Sequence, residues 1–216
     1  MLVGENMNTK ELNLFATQIR QLNLKTLAHF PGKGHIGGTM SIIDLLAVLY
    51  GNVMNVDPQN PHMDERDQLV MSKGHAGPAL YATLALKGFF DPELLLTLNE
   101  GGTMLPSHCD RTKTPGIDMT TGSLGLGLST AVGIALSKRV RKLPGYVYCI
   151  IGDGESQEGQ IWEAAMLAPQ FKVDNLIVFL DNNKQQVDGY TKDILDIEDI
   201  EAKFAALNWH TQRIDG

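Results

Sequence analysis

One segment constrains this chain more than any other. From Tyr146 to Asp181 an apolar run, YVYCIIG, leads into a helical stretch around IWEAAMLA and returns as a second apolar run, NLIVFLD. Two short apolar runs rich in β-branched residues, joined through a helix, make a strand–helix–strand unit whose strands lie parallel and need helices on both faces. The alternation extends both ways: Gln68 to Ser72 forms a short strand ahead of a helix through ALYATLALKG, and a helix around DIEAKFAAL precedes a last strand, WHTQRI. The predicted fold class is therefore α/β, a parallel sheet flanked by helices on both faces.

Other elements follow from caps and breakers. Asn8 and Glu11 have capping-box spacing ahead of Leu12, Phe15, Ile19 and Leu22, which predicts a helix that stops before Pro31. FPGKGHIGGTM is too glycine-rich for a helix, and Ser41 with Asp44 repeats capping spacing before IIDLLAVLY. Asp91 and Pro92 are N-cap and first-turn residues for a helix through ELLLTLN. From Glu100 to Thr121 the chain is loop-like, with Gly101, Gly102, Pro106, Pro115 and Gly116, and connections this long inside a domain tend to be lids or binding loops. TGSLGLGLSTAVGIALSKRVRK is a glycine-opened helix whose basic end, Lys138 to Lys142, suits a helix C-terminus.

At 216 residues and 43% hydrophobic, the chain can bury a substantial core, and without an internal repeat or a linker a single domain over 1–216 is expected. A net charge of -7 offers no footprint for nucleic acid or an anionic membrane. The start, MLVGENMNTK, has neither a basic flank nor an apolar signal core, and no stretch is expected to span a bilayer, so a cytoplasmic location is expected. The two cysteines, Cys109 and Cys149, lack the spacing of a zinc or redox site and are expected to be free.

The chemistry lies at the strand ends. Ligands of open parallel sheets bind beyond the carboxyl ends of the strands. Gly152, Asp153 and Gly154 end one run, and Asp181, Asn182 and Asn183 end the next. Taken singly, Gly-Asp-Gly is a turn and Asp-Asn-Asn a loop bonding its own backbone. On neighbouring strands they bring a carboxylate and a carboxamide together as hard oxygen donors for magnesium or calcium. No GxGxxG opens a helix after a strand, which disfavours a Rossmann nucleotide module.

In this frame GDGESQEG, WEAA and DNNKQQVDG resemble the metal and diphosphate motif of thiamine diphosphate enzymes in its transketolase version. GHIGG from Gly34, RDQLVMSKGHA from Arg66 and TPGIDMTTGSLGLGLSTAVG from Thr114 match the same family in the same order, covering the chain from about Lys10 to Gly189. The resemblance implies the thiamine diphosphate-binding fold. It also implies a metal held by Asp153, Asn183 and the backbone carbonyl of Gln185. Gly152 and Gly154 would lie along the diphosphate with Asp153 and Asn183, His75 would contact it, and Gly122, Ser123 and Leu124 would lie along the cofactor. Ser123 also suits a helix N-cap.

The resemblance assigns His35 to proton movement at the substrate, and a glycine-flanked histidine fits a group that titrates near neutrality. His108 aligns with a family histidine near the substrate oxygens, although Cys109 stands where a proline often follows, and an ordinary loop histidine is the other reading. Glu158 and Glu163 can be an acid/base pair or a solvated helix face. The family places equivalent residues between subunits.

The implied activity is transfer of a two-carbon ketol unit from a ketose phosphate to an aldose phosphate. In the family, the glutamate that activates the cofactor comes from a separate pyrimidine-binding domain, which is not expected within these 216 residues. It is therefore expected to be the N-terminal subunit of a split transketolase, or a fragment of a longer enzyme, working with a C-terminal partner subunit in an α2β2 assembly or as a homodimer. Relative to the family the domain looks short at its C-terminus, ending at Gly216 before a further histidine. The alternatives are a non-catalytic regulatory subunit of the same fold and an enzyme like deoxyxylulose-phosphate synthase.

Overall fold

The computed structural model describes residues 7–32 and 34–215. Met1–Asn6, most of the stretch in which a leader would begin, lie outside the described residues, as do Lys33 and Gly216, on which the reading of the chain end falls. In order, the helices are α1 (Thr9–His29), α2 (Ile36–Met40), α3 (Ile43–Val48), α4 (Gly77–Lys87), α5 (Leu126–Val140), α6 (Gly159–Gln170), α7 (Thr191–Ile194) and α8 (Ile200–Ala206). The strands are β1 (Gln68–Met71), β2 (Val147–Gly152), β3 (Leu176–Asp181), β4 (Gln185–Gln186) and β5 (Gly189–Tyr190). β1, β2 and β3 form a parallel sheet in that order, with Gln68 opposite Val147 and Gly152 opposite Asp181. β4 and β5 make a small antiparallel hairpin just beyond β3.

The period-two alternation of a strand explains the two-sided core. Leu69, Met71, Tyr148 and Ile150 face a cluster with residues of α1, α3 and α4. Val70, Val147, Cys149 and Ile151 face the opposite cluster with α5, α6 and α8. β2 is buried along its whole length, as a central strand covered on both faces must be. Cys109 belongs to the first cluster and Cys149 to the second, so the sheet separates them and both are free thiols.

The capping box forms as expected: Asn8 Oδ1 accepts from Lys10 N and Glu11 N, and Glu11 Oε2 accepts from Asn8 N. Other expectations are corrected. The glycine-rich stretch is helical over Ile36–Met40, because Thr39 is buried and its hydroxyl donates to Ile36 O while Asn23 Nδ2 donates to it from α1. Ser41 does not cap the next helix; its hydroxyl turns instead to Asp181. Pro92–Thr97 winds as a 3-10 helix, capped as expected by Asp91. α5 begins at Leu126 with Gly125, not Ser123, at its cap, and Lys138 is buried, donating to the carbonyls of Asp64, Arg66 and Pro144.

WHTQRI is not a strand; Trp209 folds back, its Nε1 donating to Ala165 O at 2.8 Å and its ring packing edge-on against Phe204. Ile36–Val53 is, contrary to expectation, an 18-residue stretch apolar enough to cross a bilayer. It is broken at Ser41 and sends Ile42, Ile43, Leu46 and Leu49 into the core. The segment 100–121 is indeed irregular, yet it is pinned: Leu105, Cys109 and Ile117 are buried, and buried Asp118 pairs with Arg66 and accepts from Leu69 N at 2.8 Å.

Candidate active site

β2 and β3 carry the two polar endings to one edge of the sheet. Gly152 lies opposite Asp181, and Asp153 N extends the ladder by donating to Asp181 O at 3.1 Å. Asp153 is 2% exposed; one carboxylate oxygen accepts from Gly154 N at 2.8 Å and the other from Lys184 N at 2.7 Å. Burial pushes its pKa up, and the two backbone amides oppose that shift. Asn183 is exposed, its Oδ1 accepting from Gln185 N at 3.0 Å. Gln185 begins the hairpin, paired with Tyr190. Gln186 folds over Gly154 so closely that a Cβ there would lie 3.0 Å from its side chain.

Three histidines from three separate loops meet beside this edge. His35 lies at the start of α2, His75 in the 3-10 turn after β1, and His108 in the long irregular segment. The His35 ring centroid is 5.3 Å from that of His75 and 6.2 Å from that of His108. His35 and His108 are exposed and His75 is half-buried. Burial lowers the pKa of His75 to about 4, assisted by the Lys73 ammonium and the other two imidazoles. The His108 pKa is also lowered, first by burial and then by His35. Gly38 faces His75 so closely that a Cβ would lie 2.6 Å from its ring.

The TTGSLG loop lies against the same groups. Gly122 has φ +149, and a Cβ on it would stand 3.3 Å from His108. A Cβ on Gly74 would lie 2.8 Å from Gly122 N, so two backbones meet where only glycine fits. Ser123 and Leu124 are exposed at the lip of the loop. Glu158 and Glu163 are exposed on and just before α6.

Sequence reasoning missed two groups that organise this edge. Glu155, directly after Gly-Asp-Gly, is 2% exposed and accepts from Ser72 Oγ (2.5 Å), Gly125 N (2.9 Å) and Gly152 N (3.1 Å). It thereby joins the ends of β1 and β2 to the start of α5. Lys73, 1% exposed, pairs with Asp181. The available signal was a charged residue set directly against the end of an otherwise apolar strand.

Comparisons with known proteins agree with this geometry. Residues 12–216 match the family model described as transketolase, thiamine diphosphate binding domain. The chain is 59% identical over 201 residues to a 6-deoxy-6-sulfo-D-fructose transketolase subunit of Clostridium sp. (strain MSTE9), covering 93% of this chain and 73% of that protein. It is 42% identical to an apulose-4-phosphate transketolase subunit of Phocaeicola vulgatus, over 85% of this chain and 65% of that one. Among solved structures, a transketolase from Leishmania mexicana superposes with a TM-score of 0.87 at 31% identity, over 95% of this chain and 32% of that chain. The sequence thus spans about a third of the length of that solved enzyme. With its parallel sheet, its polar strand ends and these relatives, the chain belongs to the transketolase family, in the part that forms the thiamine diphosphate binding domain.

Proposed function

We propose that this chain is the diphosphate-binding subunit of a two-chain transketolase, moving a two-carbon ketol unit from a ketose to an aldose together with a subunit that carries the pyrimidine-binding domain. The observation that carries the reading is the meeting of Asp153, at the end of β2, with the Asp181–Asn183 turn at the end of β3, beside three clustered histidines. Two relatives bear the name of transketolase subunits, which supports a second chain.

The residues present fit a metal-bound diphosphate. Asp153 offers a buried carboxylate, and Asn183 and the Gln185 carbonyl add neutral oxygens of the kind a hard dication takes. Neutral His75 can donate one N–H to a phosphate oxygen without needing a counter-charge. The glycines at 74 and 122 let the turn after β1 and the TTGSLG loop touch backbone to backbone beside His108, which brings main-chain groups of both loops to the site. Thiamine diphosphate, when bound, supplies the carbanion chemistry that breaks and remakes the carbon–carbon bond next to a ketose carbonyl.

The chain's own residues position the reactants and handle protons. Asp153, Asn183 and Gln185 would hold the metal, and Gly152, Gly154 and His75 would line the diphosphate. Gly122, Ser123 and Leu124 would lie along the rest of the cofactor. His35 and His108, exposed and within reach of one another, are suited to take and return protons at the substrate hydroxyls and carbonyl. Glu158, just before α6, and Glu163, on it, are both exposed and are suited to an interface with another subunit rather than to the reacting atoms.

The donor is a ketose with an anionic terminal group. The higher identity to the sulfofructose transketolase subunit than to the apulose-4-phosphate subunit favours a sulfonated ketose over a ketose phosphate. The decisive experiment mixes this chain with a C-terminal transketolase subunit of the same organism, thiamine diphosphate and magnesium. Ketol transfer from 6-deoxy-6-sulfo-D-fructose and from fructose 6-phosphate is then compared. Transfer by the pair, and by neither chain alone, is expected; transfer by this chain alone would refute the two-chain reading. Cofactor binding without transfer by the pair would favour a regulatory subunit.

A further inference from the structure

Lys73 has no part in the assignments above, yet it is among the largest fully buried side chains of the protein. Its ammonium lies 2.5 Å from Asp181 Oδ2 and 3.5 Å from Ser41 Oγ. The same Asp181 oxygen accepts from Ser41 Oγ at 2.6 Å and from Asn183 Nδ2 at 3.4 Å. One carboxylate oxygen thus gathers three segments: the α2–α3 junction, the β1 end that leads to His75, and the turn that carries Asn183.

The charge arrangement explains why a lysine is needed. Asp153 and Asp181 stand at the ends of adjacent strands, joined through the bond from Asp153 N to Asp181 O. Two neighbouring carboxylates in a poorly solvated site repel each other and compete for the same cation. Lys73 neutralises Asp181, whereas among the described residues the oxygens of Asp153 accept from the backbone amides of Gly154 and Lys184 alone. A buried lysine without a counter-ion would be costly, so each member of the pair also holds the other in place.

We propose that Lys73 is a positioning residue of the diphosphate site: paired with Asp181, it clamps the 181–184 turn to the β1 end and leaves Asp153 as the carboxylate that meets an incoming divalent cation. The proposal rests on reading these strand ends as a metal-diphosphate site. It concerns how the site is held, and not which group touches the phosphate.

The test uses the full chain, with Lys73→Met, Asp181→Asn and the two substitutions combined. Amide hydrogen exchange without any ligand reads the clamp directly. Lys73→Met should speed exchange at 73–76 and 182–191 together, and the combined variant should return toward wild type, because the neutral carboxamide needs no counter-charge. Calorimetry with magnesium and inorganic pyrophosphate reads the consequence: Lys73→Met should weaken binding by about tenfold or more, with much of that recovered in the combined variant.

Wild-type exchange at 182–191 in a folded Lys73→Met variant would overturn the proposal. So would a combined variant that binds as weakly as Lys73→Met, since that would make Lys73 a phosphate ligand in its own right. If Lys73→Met does not fold, the combined variant decides: folded and binding like Asp181→Asn, it supports the clamp; unfolded, it refutes it. Failure of the wild-type chain to bind magnesium pyrophosphate would count against the diphosphate reading alone, because the exchange comparison still judges the clamp.

Discussion

His75 shows how surroundings set the chemistry of one residue. Burial first, then the Lys73 ammonium and the imidazoles of His35 and His108, bring its pKa down from 6.5 to about 4. The folded protein takes up this proton only near pH 4, whereas the unfolded chain takes it up near 6.5. The contribution of His75 to stability is therefore present above the unfolded value and lost as pH falls between the two. Urea titrations should show His75→Gln losing less stability than wild type over that window; an equal loss would contradict the lowered pKa. His75 was singled out in the sequence by the resemblance of SKGHA to a family segment. Its neutral state was not legible there, because Lys73 acts on it only through a fold that also sets Asp181, 108 residues away, beside that lysine.

Among the elements, α5 depends most on a single small residue. A Cβ at Gly127 would overlap the side chain and the Cα of Ser72 at the end of β1. Ser72 is the residue whose hydroxyl donates to Glu155. Gly127→Ala should cost about 1–3 kcal/mol by overpacking, measured by denaturant unfolding. Because Ser72 must move to accept the methyl group, the bond to Glu155 should loosen as well, and faster amide exchange at Gly125 would report it. The existence of α5 followed from apolar periodicity, but its first residue did not. Gly125, with φ +89, has its N–H fixed by Glu155 just beyond the end of β2, and α5 starts only after this left-handed residue. The same distinction explains WHTQRI. It was expected to be a last strand, but it joins no sheet among the described residues; Trp209 packs on Phe204 instead and donates to Ala165 O.

At the scale of the whole molecule, the sheet divides the core into two clusters that share one backbone. Ile150 and Ile151 are adjacent and fully buried, and they point into opposite clusters. Truncating either to Ala should cost about 2–5 kcal/mol, and both variants should still unfold in one transition, because the same strand ties the layers together. A separate early transition in one variant would mean that the two faces fold independently. The sequence by itself determined the parallel α/β architecture, the two polar strand ends and the family, because side-chain periodicity and motif spacing are written locally along the chain. Only the tertiary structure decided which polar groups meet: the three histidines, Lys73 and Ser41 on Asp181, and Ser72 and Gly125 on Glu155. Those meetings join residues far apart in the chain, and they are set by strand order and helix packing, which no local pattern encodes.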